Sequence, residues 1–148
     1  MADAITADMS LEVRRTFAAP RDRVYAAFTT PEITAQWFCP VGRSAEVHEM
    51  DVRVGGRYRI TMAAAEGDGH TAAGEYCEVM PGERLAFTWQ WQDGDGPMTL
   101  VTVSFADVAG GTEVVLLHER FRTEAARDQH RGGWESCLTH FQEYLERL

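Results

Sequence analysis

The 148-residue chain contains no lysine and no asparagine, and all 14 of its basic residues are arginine. Without lysine there is no Schiff-base amine, no pyridoxal-binding residue and no phosphate-loop ammonium. Without asparagine there is no N-glycosylation acceptor. Positive charge is scarce as well: 14 arginines face 23 carboxylates, a net charge of −9, and no basic cluster interrupts the acidic excess. Nucleic acid and anionic membrane surfaces are bound through clustered basic residues, so neither is an expected partner.

Long apolar runs are also missing. The longest aliphatic stretch is Val114-Val115-Leu116-Leu117, against the ~20 residues that span a bilayer, which excludes insertion as a helix. The N-terminus carries Asp3 and Asp8 without an apolar stretch and does not read as a secretory signal. Three cysteines, Cys39, Cys77 and Cys137, are odd in number and form no Cys-x-x-Cys. That usage fits a reducing cytoplasm.

Motifs for several chemistries are absent. His48, His70, His130 and His140 stand apart, with no His-Glu-x-x-His and no His-x-His, so no metal site is expected. None of the four serines sits in a nucleophile elbow, and no glycine-rich phosphate loop follows a strand. The acidic runs at 66–68 and 93–95 lack calcium-loop spacing and read as solvated hairpin tips.

What is present has a clear order. Residues 1–10 read as an N-terminal arm and 11–148 as one domain. A chain of this length buries about 68–70% of its unfolded surface, enough for a core without metal or disulfide support. Alternation over 11–17 predicts a first strand. Pro20 stands where a first helical position belongs, ahead of the apolar Val24, Ala27 and Phe28. Thr30-Pro31-Glu32 opens a second short helix that ends before Pro40.

From about 45 to 120 the punctuation changes to a hairpin rhythm. Turns at 54–56, 66–69, 81–82, 93–96 and 109–111 separate six strands. Leu85, Phe87, Trp89 and Trp91 share one parity, as do Tyr58, Ile60 and Met62. The pattern is that of an antiparallel meander with one apolar face. The tail changes period again: Trp134, Leu138, Phe141, Leu145 and Leu148 recur at steps of three and four. A helix from about Glu124 to the end is predicted, with Gly132-Gly133 inside it as either a kink or a close backbone approach. The only long amphipathic element must cover the sheet's apolar face. The predicted fold is an α+β helix-grip: a seven-stranded antiparallel sheet wrapped around a long C-terminal helix, with two short helices after the first strand.

A resemblance adds to this. Residues 15–20, Val24-Tyr25-x-Ala27, Pro31-Glu32 and Gln36-Trp37-Phe38 resemble the opening of bacterial proteins related to the activator of the 90-kDa heat-shock protein ATPase. Val54-Gly55-Gly56-Arg57-Tyr58, Gly74-Glu75-Tyr76, Pro81-Gly82-Glu83-Arg84-Leu85, Gly111-Thr112 and His130-x-x-Gly133-Trp134 continue the match over about 11–148. Each motif is weak alone, but their order makes the set specific. The family belongs to the START-like superfamily, with the polyketide cyclases and the birch pollen allergen. The resemblance implies a cavity between sheet and helix for a hydrophobic small molecule, and no universal catalytic residue or cofactor. The eukaryotic activator carries a further N-terminal domain that makes major chaperone contacts, for which this chain has no room, and this weighs against a chaperone partner.

Candidate ligand-binding residues follow from convergence of the elements. Trp37, Tyr58 and Met62 come from the first half of the chain, and Trp89, Trp91, Trp134 and Phe141 from the second. Plain core packing could use every aromatic among them; cavity lining is the alternative. His118 and Glu119 point to opposite faces at the end of the last strand, so one of them faces inward. Parity alone does not choose. Either could orient a ligand or serve as an acid/base. Arg15 shares the parity of Leu11, Val13 and Phe17, and Glu119 is a candidate partner for it if the first and last strands pair.

The leading expectation is a cytoplasmic binding protein for a small hydrophobic or amphipathic ligand. The alternatives are a cyclase, dehydratase or hydrolase using the same cavity, or a co-chaperone-like module. A homodimer is expected only on general frequency.

Overall fold

These periods settle into seven strands and three helices in a computed structural model that describes residues 9–63, 69–92 and 96–148. Most of the N-terminal arm and both acidic hairpin tips fall outside the described residues. In chain order, β1 (Leu11–Phe17) is followed by α1 (Arg21–Thr29) and α2 (Pro31–Trp37). The meander comprises β2 (Ala45–Met50), β3 (Arg57–Met62), β4 (His70–Met80), β5 (Arg84–Trp91), β6 (Thr99–Val108) and β7 (Gly111–Glu119). Helix α3 (Glu124–Glu146) closes the chain.

All seven strands form one antiparallel sheet in the order β1-β7-β6-β5-β4-β3-β2. The first strand joins the end of the meander, with Leu11 opposite His118 and Phe17 opposite Thr112. The two short helices fill the jump from β1 to β2. Register shifts at Val47/Glu49 and Tyr76/Glu78 mark bulges in β2 and β4, which bend a strand and increase its local twist. The sheet thereby curves around α3.

The parity of each strand decides what lies beneath the helix. Leu85, Phe87 and Trp89 of β5, and Tyr58, Ile60 and Met62 of β3, are buried. So are Thr112, Val114, Leu116 and His118 of β7. From α3, Trp134, Cys137, Leu138 and Phe141 descend onto this face. Phe141 lies 4.7 Å from Phe17 and 4.5 Å from Trp37, ring centre to ring centre, and Phe28 packs edge-on against Trp37 at 4.7 Å. This aromatic knot anchors the C-terminal half of α3 against α1, α2 and β1.

Helix ends follow their sequence cues with one shift. Pro20 is the residue before α1, at φ −63° and ψ 151°, and Arg21 is the first helical residue. An extended ψ at Pro20 makes it a cap where the sequence suggested a first turn. Pro31 does open α2. The Thr123 hydroxyl caps α3 by accepting from the Ala126 N–H at 3.1 Å.

Gly74 illustrates what holds the sheet's tight bend. A Cβ there would lie 1.9 Å from the Thr88 carbonyl oxygen and 2.8 Å from the Tyr58 ring. The bare backbone admits Tyr58, which pairs with Gly74 across β3 and β4 and donates its hydroxyl to the Thr88 carbonyl. Gly133 differs. The helix runs through it, and an added Cβ would meet nothing within 4 Å. Neither a break in the helix nor a close contact explains it; the space beside it is open.

Candidate functional site

The N-terminal half of α3 stands off the sheet and leaves a cavity of about 380 Å³. Its walls are Met62, Trp89 and Trp91 from the sheet and His130, Gly133, Trp134 and Cys137 from the helix, with Pro40, His70 and Gln129 completing the lining. His130, Gly133, Trp134 and Cys137 follow the i, i+3, i+4, i+7 spacing of one helical face. His70 and Gln129 are exposed, while Trp89 and Trp134 are buried. The cavity is therefore aromatic inside and polar at its mouth.

Two indole–imidazole pairs tie helix to sheet. Trp134 Nε1–H donates to His118 Nδ1 at 2.9 Å. An indole N–H can only donate, so Nδ1 is unprotonated and the neutral ring carries its hydrogen on Nε2. That N–H donates to Thr99 Oγ1 at 2.6 Å, and the Thr99 hydroxyl donates onward to the Trp89 carbonyl at 3.0 Å. Every hydrogen in the chain is spoken for. Protonating His118 would break its bond with Trp134, and burial, reinforced by the neighbouring His130, pushes its pKa down to about 3.

The second pair repeats the logic nearer the mouth. Trp91 Nε1–H donates to His130 Nε2 at 2.9 Å, and His130 Nδ1–H donates to the Ala126 carbonyl at 2.7 Å. Burial lowers the His130 pKa, opposed in part by the Ala126 carbonyl. The two imidazoles lie 5.3 Å apart, edge to face. Trp89, whose ring packs against Trp91 at 5.3 Å and Trp134 at 5.1 Å, has the one buried side-chain polar atom without a hydrogen-bond partner among the described residues, Nε1.

The placement of each candidate follows. Met62, Trp89, Trp91 and Trp134 surround the cavity. Trp37 and Phe141 sit in the aromatic knot, and Tyr58 lies with Tyr76 and Phe87 around a separate void of about 10 Å³. His118 faces inward behind Trp134, and Glu119 takes the outer parity. His118 holds a wall residue in place and stays neutral near neutral pH.

The candidate Arg15–Glu119 pair does not form. Arg15 pairs with Val114 on the inner face and donates to Thr139 Oγ1 of α3 at 3.0 Å, while Glu119 is five residues further along β7 and on the other face. The lining residues outside the predicted set are Pro40, His70, Gln129, His130, Cys137 and Gly133, the last marked in the sequence only as part of Gly132-Gly133; His130, Gly133 and Cys137 share one helical face with Trp134. Their helical spacing with Trp134 was the available signal. Cys137 is buried and its thiol is pushed well up by desolvation, as Cys39 is, to about 11. Neither is a ready nucleophile. Among the described residues no group of three or more His, Cys, Asp or Glu could hold a metal ion, and no helix is long and apolar enough to cross a membrane.

The family model described as "Activator of Hsp90 ATPase homolog 1-like protein" matches residues 18–146. The chain belongs to this family. Among solved structures, it is similar to protein CV1439 from Chromobacterium violaceum, with 31% identity, TM-score 0.85, and 93% of this chain and 97% of that one covered. It is also similar to CalU16 from Micromonospora echinospora, with 25% identity, TM-score 0.70, and coverage of 91% and 74%. DynU16, a protein in the dynemicin biosynthetic locus, shares 27% identity at TM-score 0.77; 93% of this chain matches 47% of that one. No curated protein matches the chain. The helix-grip fold read from the sequence is thus the fold of its family, and a seven-stranded sheet around a long C-terminal helix is what these structural relatives share with it.

Proposed function

We propose that residues 11–148 of this family member form one domain that binds a small hydrophobic or amphipathic molecule between the sheet and α3, in the cytoplasm. The observation that carries the reading is the contrast between two spaces lined by the described residues. The void beside Tyr58 holds about 10 Å³, at most room for one water molecule, whereas the cavity under α3 holds about 380 Å³. Small-molecule sites range over about 300–1,000 Å³ and combine apolar walls with a few polar groups. Three indoles and the exposed Gln129 and His70 at the mouth have that composition. The likeness to DynU16, a protein of a biosynthetic locus, supports a small-molecule role. The three cysteines are free, in keeping with a reducing compartment.

Mass spectrometry of freshly purified protein, native and then denatured, tests the reading together with titration of N-phenyl-1-naphthylamine, a neutral probe that brightens in apolar sites. Extra mass in the native spectrum alone, or saturable probe emission abolished by Trp134→Ala in a folded variant, supports it. A bare native spectrum with no saturable probe emission overturns it.

A further inference from the structure

The cavity's walls restrict the charge of what they can hold. Among the described residues no carboxylate and no guanidinium belongs to the lining, in a protein where a quarter of all residues are charged. The ionisable groups that do line it are His70, His130 and Cys137. His130 is held neutral between the Trp91 indole and the Ala126 carbonyl, and His118 behind the wall is held neutral between Trp134 and Thr99. The Cys137 thiol is kept protonated by burial. An anion entering here leaves water without meeting a guanidinium among the described lining residues, inside a protein whose net charge is −9. A cation gains indole faces but finds no carboxylate among the described residues of the wall.

The walls also favour one kind of apolar body. Trp89 meets Trp91 at 86° and Trp134 at 54°, so the three indoles present both faces and edges. Aromatic rings gain from such contacts beyond their buried area, and saturated rings do not. Gly133 sets a further limit. It occupies a position in mid-helix where glycine costs stability, touches nothing that would require glycine, and belongs to the cavity wall. Its missing side chain is ligand space.

We infer that the cavity selects an uncharged aromatic molecule and that Gly133 sets how much bulk it admits. This rests on the ligand-binding reading above and gives it a ligand class. Four isosteric probes separate the two: naphthalene-2-carboxamide, naphthalene-2-carboxylate, naphthalene-2-carboxamidine, and the decahydro form of the carboxamide. Isothermal titration calorimetry at pH 7 with the whole chain measures each.

The carboxamide is expected to bind at least about tenfold tighter than the carboxylate or the amidine, a difference of about 1.4 kcal/mol. It is expected to bind at least about threefold tighter than its saturated counterpart. Gly133→Leu is expected to lower carboxamide affinity at least about tenfold with an unchanged or higher Tm, and Gly133→Ala to retain most of it. A carboxylate or amidine that binds as well as the carboxamide overturns the uncharged class while leaving a ligand site. Equal binding by the saturated analogue overturns the aromatic preference, and full affinity in Gly133→Leu overturns the role of Gly133. If none of the four binds while N-phenyl-1-naphthylamine does, the inference alone falls; if that probe also fails and the native spectrum is bare, the reading beneath it falls as well.

Discussion

Lowering the pH from 7 to 5 should cost this protein stability through His118, and the amount can be worked from its hydrogen bonds. The ring is fully buried and neutral, with Nδ1 accepting from Trp134 and Nε2–H donating to Thr99. Its pKa falls from the ordinary 6.5 to about 3 in the folded state. The unfolded chain therefore binds a proton that the folded chain refuses, throughout the interval between those values. His118 contributes its full share of stability above about pH 6.5, and loses it progressively as pH falls towards about 3. The slope is about 1.4 kcal/mol per pH unit for one proton, so about 2 kcal/mol is lost by pH 5.

His118→Gln supplies the control, because an amide can still accept and donate but does not titrate. It should be less stable at pH 7 by about 1–3 kcal/mol through poorer hydrogen-bond geometry. Its stability should also change less between pH 7 and 5 than that of the natural chain, by about 2 kcal/mol. Urea unfolding followed by tryptophan fluorescence at a series of pH values reads both quantities. Superimposable pH slopes for the two proteins would refute the proton assignment around His118.

Two further outcomes follow from single contacts. Gly74→Ala places a Cβ 1.9 Å from the Thr88 carbonyl oxygen and 2.8 Å from the Tyr58 ring, so β4 and β5 must shift; a loss of about 1–3 kcal/mol in urea unfolding is expected, and an unchanged midpoint would mean that the strands do not meet so closely. Trp91→Phe keeps a ring in the wall but removes the donor to His130 Nε2. The His130 pKa should then rise towards its ordinary value, seen in the pH titration of its ring proton resonances by NMR, and a static or falling pKa would contradict the pairing.

Much of the architecture was legible in the residues because each element carries its own period. Leu85, Phe87 and Trp89 declare a strand by alternation, and Trp134, Leu138 and Phe141 declare a helix by steps of three and four. Those signals are local, and they emerge as β5 and α3 with Leu85, Phe87, Trp89, Trp134, Leu138 and Phe141 buried, whereas Leu148, the last residue of the expected stripe, lies beyond the helix and is exposed. The site was legible only in part. Seven aromatic and sulfur-bearing candidates were equally eligible, yet Trp37 and Phe141 join the core knot and Tyr58 turns towards Tyr76, while Met62, Trp89, Trp91 and Trp134 face open space. Sequence period tells which side of an element is apolar. It does not tell where along that side the facing element stands away.

The same division runs through the polar residues. His118 and Glu119 were symmetrical by parity, and the choice between them was made by the pairing of β7 with β1 and β6, which turns Val114, Leu116 and His118 inward. Arg15 was assigned a partner by charge, and register placed that partner on the other face.

What the sequence alone determined is therefore the class of every main element, their order and the apolar face they share, because backbone period and turn chemistry are properties of neighbouring residues. The tertiary structure alone decided that α3 leaves open space beside Gly133, that two histidines are locked neutral by indoles 39 and 16 residues away, and that no carboxylate or guanidinium among the described residues lines the space between. Those are distances between segments remote in the chain, and only the packing of a curved sheet against a straight helix brings them to a value.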